Sequence, residues 1–96
     1  MKFELGFLDD SLKEWAKLDG VIREQFRKKL TERLIAPRVP SALLSGRRDR
    51  YKIKLRGVGY RLVYEVRDKQ LIVVVVAVGK RERNAVYKAA AGRPAC

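Results

Sequence analysis

The chain has 96 residues, 47% of them hydrophobic, which is enough for one compact domain with a core and too few for two. Its 23 lysines and arginines against 11 acidic residues give a net charge of +12, which indicates a polyanionic partner: nucleic acid first, then an acidic protein, then an anionic membrane surface. The lack of histidine argues against a zinc site, and the single cysteine, Cys96, excludes an internal disulfide. We therefore expect one basic cytoplasmic domain over residues 1–96, with no cofactor and no metal.

The N-terminal third predicts one strand and two helices. Apolar residues alternate in the strand, at Phe3, Leu5 and Phe7. The first helix has cap candidates at Asp9, Asp10 and Ser11, and an apolar side formed by Leu12, Trp15 and Ala16. The second helix repeats apolar residues every four positions, at Ile22, Phe26, Leu30 and Leu34, and ends before Pro37. Because the turn at Asp19-Gly20 is short, we expect an antiparallel helical hairpin.

The rest of the chain predicts three strands and a closing helix. A loop over residues 37–49 precedes strands at about 50–56, 59–66 and 70–78, and Gly79 is expected to end the last strand. Residues 81–91 predict a helix that stops at Gly92 and Pro94. Two helices followed by consecutive strands indicate an α+β fold with a four-stranded, mainly antiparallel sheet.

The register of the first two of these strands follows from their hydrophobic pattern. If Leu55 lies opposite Tyr60 across a four-residue loop, apolar and aromatic pairs fill one face and Lys54 lies opposite Arg61 on the other. Continued to the third strand, the same pattern pairs Val66 with Leu71, and Tyr64 with Val73. We expect the two early helices to cover the apolar face and the closing helix to cover the other.

The second face carries a cluster of cations. Lys52, Lys54 and Arg61 share it with Glu65 as the only acidic residue. Like charges directly opposite each other destabilise a strand pair, which favours a phosphate-binding site. A solvated basic surface explains the pattern about equally well, so the choice between the two stays open on the pattern alone.

Several stretches resemble the RelE toxins of bacterial toxin–antitoxin pairs. The resemblance is strongest in "YKIKLRGVGYRLVYEV" (51–66) and "VGKRERNAVY" (78–87), and it extends to "SLKEWAKLDGVIREQFRKKL" (11–30) and "PRVPSALLSG" (37–46). The tail "AAAGRPAC" departs from the family pattern. The resemblance implies a RelE-like compact fold and a ribosome-dependent endoribonuclease that cuts messenger RNA in the ribosomal A site. It also implies silencing by a RelB-type antitoxin that displaces the closing helix.

Residue by residue, the resemblance implies a catalytic set comprising Lys52, Lys54, Arg61, Arg81 and Tyr87. Further cations are expected to contact messenger or ribosomal RNA: Arg23, Arg27, Lys28, Arg47, Arg48, Arg50, Arg56 and Arg83. The first three of these lie along the polar side of the second helix, where a basic stripe could follow a phosphate backbone. Solubility alone is the competing explanation for that stripe.

RNA can be cut without a metal when its own 2′-OH attacks the neighbouring phosphate. The reaction needs a base, an acid at the leaving oxygen and positive charge around the phosphate. With no histidine present, Tyr87 is our candidate for the base, because neighbouring cations favour its phenolate, and Lys52 or Lys54 is the rival. Arg61 would bind the phosphate bidentately and Arg81 would contact the leaving oxygen. We expect such a site to need the ribosome to place the RNA in line.

Two other functions remain open at this point. A ParE-like inhibitor of DNA gyrase has the same fold, but it has no need of the five catalytic positions. A non-catalytic RNA-binding module would tolerate loss of the Tyr87 hydroxyl. Primer extension on a translated message, with and without the protein, is the most informative single experiment.

Overall fold

A computed structural model describes residues 2–44, 49–80, 82 and 84–93 of the chain. The fold is α+β, as predicted. The elements in chain order are β1 (Glu4–Phe7), α1 (Asp9–Ala16), α2 (Gly20–Ile35), β2 (Arg50–Leu55), β3 (Tyr60–Arg67), β4 (Ile72–Lys80) and α3 (Ala85–Ala91). The sheet has the strand order β1-β4-β3-β2. Strand β1 lies parallel to β4 and the other neighbours are antiparallel, so the sheet is mixed.

The predicted register of β2 and β3 is confirmed at every pair, including Leu55 opposite Tyr60 and Lys54 opposite Arg61. The register predicted for β3 and β4 was wrong by two residues, because Val66 pairs with Val73. The reason is the turn, which spans residues 68–71 and ends on Leu71 at a φ of 54°. A shift of two residues keeps each side chain on the same face of the sheet, so the predicted assignment of residues to the two faces remains correct.

An irregularity in β4 changes which residues lie under α3. Val63 pairs with Ala77 while Tyr64 pairs with Val75, so Val76 is an extra residue in β4, a β-bulge. The strand also continues through Gly79, which was predicted to end it, and Gly79 lies opposite Arg61. The bulge thus places two small residues, Ala77 and Gly79, on the face that α3 covers.

Each face of the sheet has its own core, as the sequence predicted. The larger core joins the sheet to α1 and α2, and Phe26, Leu30 and Tyr64 are its most buried large side chains. The smaller core joins the sheet to α3 through Val86 and Ala90. Since α3 contributes only these two fully buried residues, the α3 face of the sheet remains open beside them.

The start of α1 differs from the prediction. Leu8 occupies the N-cap position with no side-chain hydrogen bond, and Asp9 and Asp10 lie in the first turn. The Ser11 hydroxyl is fully buried and lies 2.6 Å from the carbonyl oxygen of Val75, so it binds α1 to β4. Leu12, predicted to face the core, is exposed. No helix in the described part of the chain is long and apolar enough to span a membrane.

Candidate active site

The cationic cluster lies on the α3 face of the sheet. Lys54 is the cross-strand partner of Arg61, and Lys52 is the partner of Val63, which belongs to the α3 core. Directly opposite side chains have Cβ atoms about 4.5–5.5 Å apart, so Lys54 and Arg61 are near neighbours. Both lysines and Arg61 are half-buried, which leaves part of each side chain open to a ligand.

Tyr87 joins this cluster from α3. Arg61 Nη1 donates a hydrogen bond of 2.9 Å to the Tyr87 hydroxyl oxygen, and the Arg61 guanidinium carbon lies 5.6 Å from the centre of the Tyr87 ring. Tyr87 directly follows Val86, whose side chain packs over Gly79. The close approach of α3 to the sheet at Gly79 therefore brings the tyrosine to Arg61.

A cavity of about 330 Å³ opens beside the cluster at the end of the β2–β3 hairpin. Its cationic side chains are Lys54, Arg56 and Arg61, and none of the described residues that line it is acidic. Gly59 also lines it and adopts a φ of 69°, which the tight hairpin turn requires and which a residue with a Cβ would adopt with strain. The cavity is therefore a positively charged concavity that includes the Lys54–Arg61 pair in its lining.

The strand that carries the two lysines is supported from the other face of the sheet. Arg33 Nη1, from the last turns of α2, donates a 2.7 Å bond to the Tyr64 hydroxyl, which donates a 2.6 Å bond to the carbonyl oxygen of Pro37. Burial raises the pKa of the Tyr64 hydroxyl, which therefore keeps the proton that it donates. The Tyr64 ring stacks on Tyr51, at 5.7 Å between ring centres, one residue before Lys52. This packing fixes the backbone of β2 beside the cluster.

Three of the predicted RNA-binding cations lie away from the cluster. Arg23, Arg27 and Lys28 are on α2, which packs on the opposite face of the sheet. Arg27 forms an exposed ion pair of 3.6 Å with Glu24, and Arg23 is only partly exposed. The structure does not bring these cations together with Tyr87, so they cannot contact the same phosphate as Arg61.

Arg50 was predicted to bind RNA, and that prediction was wrong. Its side chain is buried, and its Nε donates a 3.0 Å bond to the buried carboxylate of Glu65. The two Nη atoms donate to the carbonyl oxygens of Ala90 and Arg93 at the end of α3. A guanidinium with these partners has no surface for RNA. Four other predicted site residues, Arg47, Arg48, Arg81 and Arg83, lie outside the described residues.

The sequence interpretation missed the ion pairs that surround the end of α3. Arg93 forms a two-bonded ion pair with Glu14 of α1, at 2.8 and 3.0 Å, and also donates to the carbonyl oxygen of Val76 at 2.7 Å. The register did contain a signal for the other pair, because it places Arg50 opposite Glu65. No comparable signal links Glu14 to Arg93, which are 79 positions apart.

The cluster offers the chemistry of a phosphate site with a proton-transfer group. Arg61 has further N–H donors beyond the one used on Tyr87, and these can donate to phosphate oxygens. Across the described residues, no group of three or more His, Cys, Asp or Glu side chains is placed to hold a metal ion. The cluster therefore combines cations that can stabilise negative charge with a phenol hydroxyl in hydrogen-bond contact with one of them.

Comparison with known proteins identifies the family. The family model described as the ParE toxin of type II toxin–antitoxin systems, parDE, matches residues 6–85. The mRNA interferase toxin RelE of Escherichia coli strain K12 is 52% identical over 97% of this chain and 98% of its own length.

Solved structures agree with that identification. The crystal structure of the isolated Escherichia coli RelE toxin superposes with a TM-score of 0.81 at 50% identity, covering 93% of this chain and 95% of that one. The toxin in the intact Escherichia coli RelBE toxin–antitoxin complex gives a TM-score of 0.80 at 52% identity, covering 84% and 99%. The chain belongs to the RelE/ParE family of toxins.

Proposed function

We propose that this protein is the toxin of a type II toxin–antitoxin pair and that it cuts messenger RNA in the A site of the ribosome. In this role it acts in the cytoplasm, where translating ribosomes are found. The name of the Escherichia coli relative, an mRNA interferase toxin, supports the activity at 52% identity over nearly the full length. The Lys54–Arg61–Tyr87 cluster supports it from the structure.

The observation that carries the proposal is the 2.9 Å contact between Arg61 and Tyr87 beside a basic cavity with no acidic side chain among the described residues that line it. A surface that only attracts RNA needs cations, but it does not need a phenol hydroxyl held by one of them. A nuclease needs both, because charge must be stabilised on the phosphate while a proton leaves the attacking hydroxyl. Two such groups in contact therefore favour catalysis over binding alone.

The proposed reaction starts with the 2′-OH of one nucleotide. Tyr87, reacting as its phenolate, takes the proton of this hydroxyl and becomes a phenol; the freed oxygen attacks the adjacent phosphorus, and the bond to the 5′ oxygen of the next nucleotide breaks. The products are a 2′,3′-cyclic phosphate and a 5′-OH end. Arg61 donates hydrogen bonds to the phosphate oxygens as negative charge grows there, and Lys52 and Lys54 add charge at the same face. Arg81, by the family resemblance, protonates or hydrogen-bonds the leaving oxygen.

The ribosome supplies what this site lacks. The attacking oxygen must lie in line with the bond that breaks, and free RNA rarely adopts that arrangement. Fixing reactants in a reactive geometry contributes about 7–11 kcal/mol in favourable cases. The site is open and only half-buried, so it cannot impose that geometry alone, and cleavage depends on messenger RNA bent in the A site.

The cations outside the cluster serve the ribosome rather than the scissile phosphate. Arg23, Arg27 and Lys28 lie on the far side of the molecule, which suits contacts with ribosomal RNA across the A site. Arg56 lines the cavity beside Lys54 and suits a phosphate next to the one that is cut. We assign Arg47, Arg48 and Arg83 to the same RNA-contacting set on the basis of their charge in the sequence.

The partner that silences the toxin is a RelB-type antitoxin. The crystal structure of the RelBE complex supports this assignment, since the toxin in it is 52% identical to this chain. A domain with a net charge of +12 fits an acidic, partly disordered partner that folds as it binds. Association should be fast at low salt and should slow as salt screens the charges.

Primer extension on programmed ribosomes tests the proposal. Purified protein should cut a message within the A-site codon, and the same message without ribosomes should stay intact over the same time. Equal cutting of naked RNA would refute the ribosome requirement. Intact message together with gyrase-dependent DNA breaks would instead support the ParE-like alternative.

A further inference from the structure

The helix that carries Tyr87 is too short to be stable by itself. Helix α3 has seven residues, begins after Asn84 at a φ of 61° with no side-chain cap, and buries only Val86 and Ala90. Isolated helices shorter than about 12–15 residues are marginal in water. Its position on the sheet therefore depends on contacts that other parts of the chain supply.

Charged side chains make several of those contacts at the C-terminal end of α3. The last carbonyl groups of a helix have no partner within it, and they carry partial negative charge. Arg50 donates to the carbonyl oxygens of Ala90 and Arg93, the second at 2.9 Å. These two bonds attach the end of α3 to the start of β2, an edge strand of the sheet, through a buried guanidinium.

A buried carboxylate balances the charge of Arg50. Glu65, also buried, accepts a 3.0 Å bond from Arg50 Nε and another of 3.0 Å from Arg67 Nε. From the other direction, Arg93 pairs with Glu14 of α1, which itself accepts a bond from the Val78 backbone nitrogen. The end of α3 is thus bound to β2, β3, β4 and α1 through charged side chains, whereas the contacts nearer its start include the packing of Val86 over Gly79 and the Arg61–Tyr87 hydrogen bond.

We propose that Arg50 is a positioning residue for catalysis: it fixes the end of α3 and thereby holds the Tyr87 hydroxyl against Arg61. The inference rests on the proposed function, because it assumes that Tyr87 takes part in the reaction. Tyr87 lies three residues before Ala90, less than one helical turn from the carbonyl that Arg50 binds. A displacement of that turn moves the hydroxyl, and misplacement by 1 Å can slow an enzyme about 100-fold.

The variant Arg50→Met tests this without leaving a buried charge unbalanced. Methionine fills much of the same volume, and Glu65 keeps its ion pair with Arg67. We expect the single-turnover rate on saturating ribosomes to fall about 10- to 100-fold while ribosome affinity changes less than about twofold. Arg50→Lys keeps the charge but loses the paired N–H donors, so its cleavage rate should lie between the rates of the parent and of Arg50→Met. It also serves as the test variant if Arg50→Met does not fold.

A cycle with Tyr87→Phe separates positioning from a general loss of stability. If Arg50 acts through the Tyr87 hydroxyl, Arg50→Met should change the rate less than about twofold when that hydroxyl is already absent. Arg38→Met is the matched control, since it removes an ion-paired arginine that contacts Asp49 and Asp68 instead of α3. Its rate should equal that of the parent. If Arg50→Met lowers the cleavage rate by the same factor in the parent protein and in Tyr87→Phe, the proposal is overturned.

Hydrogen exchange gives a readout that needs no ribosome. In Arg50→Met the amides of residues 88–93 should exchange at least about tenfold faster, while those of β3 and β4 keep their protection. If the parent protein does not cleave RNA, the proposed function fails, and the exchange data still decide whether Arg50 holds α3. Unchanged protection of α3 together with a parental rate in Arg50→Met would show that Arg50 has no such role.

Discussion

Replacing Tyr87 with phenylalanine tests the proton-transfer role most sharply, because the ring stays and only the hydroxyl is lost. In the structure that hydroxyl accepts one bond, from Arg61 at 2.9 Å. Tyr87 is half-buried, so water can take the place of the hydroxyl on the guanidinium. We therefore expect the free energy of unfolding to change by less than about 1 kcal/mol.

The expected loss of cleavage rate is larger than the free energy of that hydrogen bond alone would cause. A hydrogen bond to a charged group contributes about 1.5–3 kcal/mol. At about 1.36 kcal/mol per factor of ten, this alone slows the reaction about 10- to 160-fold. Removal of a group that transfers a proton lowers the rate by a factor of ~10²–10⁴. We predict a loss of rate in this second range, since Tyr87 would both accept the Arg61 hydrogen bond and transfer the proton.

The assay is single-turnover cleavage on saturating ribosomes, beside a measurement of ribosome binding. Binding should change little in Tyr87→Phe, since one hydroxyl adds little to a large electrostatic interface. Tyr51→Phe is the matched control: it removes a phenol hydroxyl on the opposite face of the same sheet and should cleave at the parental rate. Cleavage by Tyr87→Phe within a factor of a few of the parent would refute the argument and move the search for the base to Lys52 or Lys54.

Three further predictions address charge and stability. Lys52→Ala and Lys54→Ala should each have a modest effect because either lysine can replace the other, whereas the double variant should lose at least ~10² in single-turnover rate. Arg27→Glu should weaken ribosome binding and flatten its salt dependence, yet leave the rate at saturation unchanged. The hydrogen bond from Arg38 lowers the pKa of Asp68 below its ordinary value of 3.8, so the pair stabilises the fold above that pH and loses this effect as pH falls further. As the pH is lowered from about 5 to 2, the urea concentration at the unfolding midpoint should therefore fall less steeply for Asp68→Asn than for the parent.

The sequence predicted those parts of the fold that a repeating pattern determines. Strands β2 and β3 alternate apolar and cationic residues, so a one-residue slip would expose the core, and the register opposing Lys54 to Arg61 was confirmed. The run "LIVVVVAV" is apolar at every position, so nothing in it marks the extra residue at Val76. The turn that ends on Leu71 was missed for a similar reason, since its left-handed backbone occurs at a residue that does not favour it.

Charge on its own did not distinguish a surface cation from a buried one. Arg50 stands among cations in the sequence, and its burial follows only once the end of α3 is known to lie over β2. The contact between Tyr87 and Arg61 was likewise suggested by family resemblance rather than by spacing, because α3 could have docked in several positions. Docking depends on Gly79 and on the bulge at Val76, which only the three-dimensional structure brings together.

The central claim is that the RNA cuts itself through its own 2′-OH while this protein handles the proton and the charge. A message with a single 2′-deoxy nucleotide at the attacking position in the A-site codon tests that claim most directly. The account predicts that ribosomes programmed with it bind the protein normally and that the message stays intact, while the all-ribose message yields a 2′,3′-cyclic phosphate and a 5′-OH end. Cleavage of the deoxy-substituted message at the rate of the ribose message would contradict it.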